Sequence, residues 1–271
     1  MITYLVDSSS PPGEEAWKGS AVRRLIGYVS WVRTHRKRII KHIKDNKSMN
    51  KTQINLNPTG RVNTLSSSSF PINLQSVFIG IMLGDGSLYR SSPTSNVRFE
   101  MSFGQKYEAF ALHLGELFKD YILNPVKSLE VKGLNKNYTN YRLKTRSPSG
   151  PIFVPYFNMF YIFNQDLNKH VKIIPQNIIE LLDPVVLAYL IQTDGNFDKG
   201  RNRVRIYTNS YQKEDVQILA FAINKKLGIY TGVLHDRNNQ WILTIGAKQL
   251  NLLRKTVSTH FYSSMLYRIG L

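Results

Sequence analysis

Two aspartates, each closing a similar apolar run, are the residues whose type and spacing best suit chemistry. Asp85 lies at the end of Phe78 to Gly86, FIGIMLGDG, and Asp194 at the end of Leu187 to Gly195, LAYLIQTDG. Apolar residues fill most of the helical circumference in each run, which predicts a helix buried on nearly all sides. Gly80, Gly84 and Ala188 have little or no side chain. Two such helices can therefore cross with their backbones close and their C-termini side by side, bringing Asp85 next to Asp194. A carboxylate is badly placed at a helix C-terminus, which already carries partial negative charge. Two together invite a divalent cation. Gly86 and Gly195 follow immediately and read as the left-handed residues that end the helices. One Asp-Gly step alone would pass for an ordinary helix end; two in the register of a duplication would not.

The elements that must position these acids repeat in the same order. From Asp85 to Arg98 is 13 residues and from Asp194 to Arg205 is 11, after which VRFEMSFGQK matches VRIYTNSYQK. Gln105 and Lys106 thus answer Gln212 and Lys213. The turn residues of SLYRSSPTSNVRFEMSF predict a hairpin, and Leu129 to Arg146 predict a second one. QKYEAFALHLGELFKDYIL has helical periodicity, as has EDVQILAFAINKKLG. NYRLKTR answers QWILTIG, setting Tyr141 opposite Trp241 and Lys144 opposite Thr244. Tyr141 and Trp241 read as packing residues. YFNMFYIF predicts a helix that closes the first unit, while Ser76 or Asn73 is the expected cap of the first apolar helix. The predicted fold is α+β, a tandem pseudo-symmetric duplication of αββαββα units joined through the paired acidic helices. In RNRVRIYTN, strand alternation puts Arg201, Arg203 and Arg205 on one face, with Val204 and Ile206 on the other. Three like charges in register repel unless a partner neutralises them, so these arginines are expected to meet nucleic-acid phosphates or guanine edges. Asn202 and Asn209 receive no role. Asp198 reads as a turn residue.

Composition agrees with a polyanionic partner. The 271 residues include 36 Lys and Arg against 18 Asp and Glu, a formal net charge of +18. Phosphates neutralised by Lys and Arg release counterions and bind in a salt-dependent way. There is no cysteine, which excludes disulfides and thiolate metal sites. The six histidines are scattered, so neither a histidine metal site nor a Ser/His/Asp triad is suggested. No apolar run reaches the ~18 residues that a membrane-spanning helix needs, and no membrane partner is expected. Residues 1 to 70 differ in character, with twelve Lys and Arg against four Asp and Glu. A basic helix is predicted between Ala21 and Lys47 and a linker over residues 48 to 69. The expected division is a basic extension and linker (1–70), a first repeat (71–180) and a second repeat (181–271).

The two nonapeptides resemble the paired motifs of the LAGLIDADG homing endonucleases and their intron-maturase relatives. Both keep the final acid and glycine; Leu83 and Gln192 stand at the earlier acidic position, and Tyr189 stands where the pattern has glycine. KHVKIIPQNI and THFYSSMLYRIGL also resemble family segments, so the likeness covers about residues 71 to 271. It implies two antiparallel sheets curved into a saddle over duplex DNA. It further implies site-specific cutting of both strands to promote homing of the host intron. Mg²⁺ or Mn²⁺ held by Asp85 and Asp194 would supply an activated water, an electrophile and help for the leaving 3′ oxygen. By the same resemblance, a glutamine and a basic residue order the surrounding water, for which Gln105, Gln212, Lys144 and Lys248 are candidates. Arg98, Arg201, Arg203 and Arg205 are the DNA-contact candidates. The implied state is a monomer and the implied location, by family association, the mitochondrion. The alternative is an RNA-binding maturase that assists splicing of the host intron, with or without DNA cleavage.

Overall fold

A computed structural model of the chain describes residues 70–122, 126–133, 137–144, 151–237 and 240–271. The basic helix and linker expected before Phe70 lie outside the described residues. The described residues gather into one compact unit.

Two apolar helices run through its centre. Helix α1 (Ile72–Leu83) buries every residue from Val77 to Leu83. It starts directly after Pro71 without a side-chain cap, so Asn73 and Ser76 fall inside it. Ser76 instead donates to Asp183 Oδ2 at 2.5 Å. Asp183 is the cap of α5 (Pro184–Asp194), accepting from the Val186 amide at 2.8 Å. One carboxylate thereby satisfies an orphan donor of α5 and ties the two helices together near their N-termini.

Each helix leads into a four-stranded antiparallel sheet. The first contains β1 (Ser87–Tyr89), β2 (Arg98–Gly104), β3 (Lys127–Lys132) and β4 (Asn137–Lys144), in the order β1-β2-β4-β3. In the second, β7 (Gly195–Asp198), β8 (Arg203–Ile206), β9 (Gly232–His235) and β10 (Trp241–Ile245) take the equivalent order β7-β8-β10-β9. The duplication read from the sequence is thus present in the strand connectivity. Its internal match needs one adjustment. Lys144 faces Glu100, whereas Thr244 faces Arg205, the counterpart of Arg98. The last strands are offset by two residues from the pairing of Lys144 with Thr244. An even shift keeps every side chain on its own face, so the alternation could not reveal it.

Helices α2 (Glu108–Leu117) and α6 (Lys213–Leu227) occupy matching places after β2 and β8. The helix expected from YFNMFYIF ends at Phe160 as α3 (Val154–Phe160), and Tyr161 begins a strand. That strand, β5 (Tyr161–Asn164), pairs with β6 (Lys169–Lys172). Short aromatic runs suit either period, and here the alternation of buried and exposed residues changes within the run. A single-turn helix α4 (Ile178–Leu181) then leads to α5, while α7 (Leu250–Val257) follows β10. Val204 and Ile206 of β8 are fully buried beneath the second sheet, as alternation required.

Candidate active site

The close crossing of α1 and α5 depends on glycine. A Cβ on Gly80 would lie 2.7 Å from both the Cβ of Tyr189 and the carbonyl oxygen of Val186. A Cβ on Gly84 would collide with the Thr193 hydroxyl and the Asp194 carboxylate. The glycine of the first motif therefore makes room for Tyr189 in the second, and one small residue suffices for the pair. Gln192, at the variable acidic position, is fully buried. It accepts from the Tyr262 amide at 2.7 Å and donates to the His260 carbonyl at 3.2 Å, anchoring the C-terminal segment.

Gly86 and Gly195 do not end their helices in the left-handed region: Gly195 is extended (φ −80°, ψ 155°), and the described glycines with positive φ are Gly228 and Gly270. Crowding explains them instead. A Cβ at Gly86 would press on the Ile81 carbonyl oxygen at 2.8 Å, and one at Gly195 would meet the Ile191 carbonyl oxygen.

This crossing places Asp85 and Asp194 within hydrogen-bonding reach of each other. Both open onto a cleft of about 350 Å³ lined also by Leu83, Gly84, Tyr207, Asn209 and Ser210. Asp194 borders a second hollow with Lys106, Tyr107, Tyr267 and Arg268. Asp85 borders a third with Ser102. Removal from water pushes Asp194 up to about 7, with the charge of Asp85 adding to the effect; Lys172 and Arg268 oppose it. Asp85 is also raised by desolvation, against the pull of Arg268 and Lys172. Asp194 Oδ2 is buried with no protein donor on it.

Two cations stand behind the acids. Lys172, at the end of β6, donates to the carbonyls of Gly84 and Gly86, each at 2.7 Å. Burial lowers it to about 8, while Asp194 and Asp85 act in the opposite sense. Arg268 is 9% exposed and donates to the Gly195 carbonyl. Since Gly195 is the counterpart of Gly86, the two basic residues do the same work in the two repeats. Each satisfies carbonyls left open at a helix end and supplies positive charge to both carboxylates. Tyr211 adds a third cap, its buried hydroxyl donating to the Leu83 carbonyl at 3.0 Å.

Of the residues selected from sequence, Asp85 and Asp194 are brought together. Gln105 lies exposed in the turn after β2, and Gln212 at the N-cap of α6. Lys144 sits on β4 with its ammonium 3.1 Å from Glu100, and Lys248 is exposed in the turn before α7. None of these four lines the hollows beside the acids. The Arg98 guanidinium lies 4.8 Å over the Tyr89 ring. Arg203 pairs with Asp198 at 3.0 Å and Arg205 with Asp236 at 3.2 Å. Arg201 is not on their strand. It belongs to a tight turn, residues 199–201, whose end is set by Asn202 in the left-handed region at φ 45°. Asp198 accepts from the Arg201 amide, so it is a turn residue that also holds Arg203.

Lys172 and Arg268 escaped the sequence reading although both segments containing them had been singled out. Lys172 comes 87 residues after Asp85, but Arg268 comes 74 after Asp194. The first repeat carries the β5–β6 hairpin in that interval, which destroys the register.

The model of the LAGLIDADG DNA endonuclease family matches residues 75–253. Cytochrome b mRNA maturase bI2 of Saccharomyces cerevisiae is 25% identical over 228 residues, covering 82% of this chain and 53% of that protein. The chain thus spans about half the length of that relative. "Probable intron-encoded endonuclease 1" of Wickerhamomyces canadensis is 24% identical over 201 residues, 72% of this chain and 83% of the relative. The structure of the homing endonuclease I-WcaI bound to its DNA recognition sequence superposes with a TM-score of 0.66 at 20% identity. That likeness covers 80% of this chain and 95% of the other, and it establishes the shared fold.

Proposed function

The chain belongs to the LAGLIDADG DNA endonuclease family, and from that premise we propose that it is a site-specific endonuclease cutting both strands of duplex DNA to promote homing of its host intron. The observation that carries this reading is the convergence of Asp85 and Asp194 in one cleft. Each strand would be cut by addition of water to phosphorus and departure of the 3′ oxygen.

The carboxylates suit a divalent cation. Burial raises both, the charge of Asp85 adds to the effect on Asp194, and a buried oxygen of Asp194 has no protein donor. A cation would relieve all three strains at once. Among the described residues no third His, Asp or Glu joins them, so phosphates and solvent would complete the shell, as suits Mg²⁺ or Mn²⁺. When bound, such an ion supplies charge at the phosphate oxygens and lowers the pKa of water. Lys172 and Arg268 hold the helix-end carbonyls and thus the carboxylate positions, and their charges favour the ionised acids. Arg98, Arg203 and Arg205 lie on strands and are assigned to DNA contact, as is Arg201 from its turn. Gln105, Gln212, Lys144 and Lys248 are left with an outer role in ordering solvent or binding phosphate. A complete pair of acids in one chain supports a monomer, and the family association supports a mitochondrial location.

The similarity to an mRNA maturase supports a second reading, an RNA-binding protein that assists splicing of the intron with or without DNA cleavage. The test is Mg²⁺-dependent cleavage of DNA spanning the joined exons, comparing wild type with Asp85→Asn, Asp194→Asn. Cutting by wild type alone is expected. No cutting, with tight binding to intron RNA, would replace the endonuclease reading with the maturase one.

A further inference from the structure

Asn209, given no role by the sequence, occupies a position that the acids alone do not explain. Strand β8 ends at Ile206, and the next residue is tied to the catalytic helix: the Tyr207 amide donates to the Asp194 carbonyl at 2.9 Å. Asn209 follows two residues later and lines the cleft that Asp85 and Asp194 share. Its amide nitrogen is engaged away from that cleft chemistry, donating to Gln240 Oε1 at 2.7 Å and lying 3.5 Å from Asp236 Oδ2. Asp236 is itself fixed by Arg205. The amide oxygen, Oδ1, is buried and has no partner.

A buried acceptor without a donor is uncommon in a native structure and calls for a ligand. The two carboxylates of the cleft accept as well, and the hydroxyls of Tyr207 and Ser210, which also line it, make no hydrogen bond to Oδ1. The missing partner must therefore bring hydrogens. Water entering with the scissile phosphate does so. An amide oxygen accepts one O–H without adding charge and leaves the water's lone pair free to face phosphorus.

The first repeat lacks this device. Asn209 is the fourth residue after Arg205, and the fourth after Arg98 is Ser102. Ser102 lines the hollow beside Asp85 but is exposed on β2. Its hydroxyl is shorter, rotates, and donates as readily as it accepts.

Resting on the endonuclease reading, we propose that Asn209 is a positioning residue for the attacking water at one of the two scissile phosphates, so that the two strands are cut by unequally organised half-sites. In that step the water oxygen bonds to phosphorus, the P–O3′ bond breaks with its electron pair left on the 3′ oxygen, which takes a proton from solvent, and one proton of the attacking water passes to solvent. Asn209 holds the water's other hydrogen.

The test is strand-resolved cleavage of an end-labelled duplex with Mg²⁺, using wild type, Asn209→Ser and Gln240→Ala. Affinity for the same duplex is measured without divalent cation, and melting is followed in parallel. Asn209→Ser, which copies the first repeat, should slow one strand ~10-fold or more and the other less than ~3-fold, with affinity and melting unchanged. Gln240→Ala, which frees the amide nitrogen, should slow the same strand by a smaller factor. Both strands slowed alike, neither slowed, or a loss confined to affinity would overturn the inference while leaving the endonuclease reading intact. If wild type cuts neither strand, the endonuclease reading itself falls and this inference with it.

Discussion

The first and second repeats present equivalent acids on equivalent helix ends, yet they rest on different material. Phe78 of the first repeat sits in a nest of rings, with Phe70, Phe99, Phe118, Phe153 and Tyr156 at centroid distances of 4.7–5.9 Å. The second repeat contributes mainly aliphatic residues to the core, including Val204, Ile206, Leu219, Ile223 and Leu253. The open sheet faces differ too. Glu100 meets Arg142 and Lys144 with 37–42% of each side chain exposed, whereas Asp198–Arg203 and Asp236–Arg205 are only 16–24% exposed. A duplication therefore constrains what must meet at its axis, namely small helix residues, acids and the cations that cap them. Elsewhere, any filling that restores volume is tolerated, and charge pairs drift in depth.

Equivalence of the two acids can be broken first, because it carries the largest effect. Asp85→Asn and Asp194→Asn, made separately, should each reduce double-strand cleavage by ~10³-fold or more, the scale of losing an electrostatic group at the reacting phosphate. DNA affinity should be retained. Full cutting of both strands by either variant would show that the repeats are not equivalent in chemistry.

The acids and their cation should pull stability in opposite directions with pH. Asp194 is raised from 3.8 to about 7, so without divalent cation its contribution is complete below pH 4 and is lost as pH rises through 7. The change is roughly 4 kcal/mol by linkage at 1.36 kcal/mol per unit. Lys172 is lowered from 10.5 to about 8; its contribution is present above pH 10.5 and is lost as pH falls through 8. Denaturant unfolding at stepped pH should show both limbs. Asp194→Asn should flatten the lower limb and Lys172→Met the upper.

The helix crossing distinguishes two glycines. Gly80→Ala should cost ~1–3 kcal/mol through overpacking against Tyr189 and Val186. Gly104→Ala, where an added Cβ meets nothing within 4 Å, should stay within ~0.5 kcal/mol. Equal losses in urea unfolding would mean that the crossing has room to spare.

The smallest effect separates the sheet faces. Asp236→Asn should destabilise more than Glu100→Gln, which loses only a solvent-screened pair worth ~1 kcal/mol or less. Reversal of that order in thermal melts would contradict the greater burial of the second sheet's charges.

Much of this arrangement was legible in the residues. The two acids, the four hairpins of the repeated sheets, and the alternation that buries Val204 and Ile206 all follow from periods of two and 3.6. The β5–β6 hairpin was hidden because YFNMFYIF satisfies both periods over a short length. Arg201 was misplaced because alternation is blind to a turn made by one left-handed residue, Asn202. Gly86 and Gly195 were recognised as necessary for the wrong reason: what excludes a side chain is the carbonyl of the preceding turn, and not a positive φ.

By itself, then, the sequence determined that two acidic helix ends had to meet, since buried helices with small residues and a duplicated pattern leave little else to pair them with. Only the tertiary structure decided which side chains surround that meeting. Lys172, Arg268, Tyr211 and Asn209 arrive from strands, loops and the C-terminus, at sequence distances that obey no period. Hydrogen bonds to open helix-end carbonyls and positive charge beside a buried carboxylate pair depend on proximity in space, and that is settled when the helices cross.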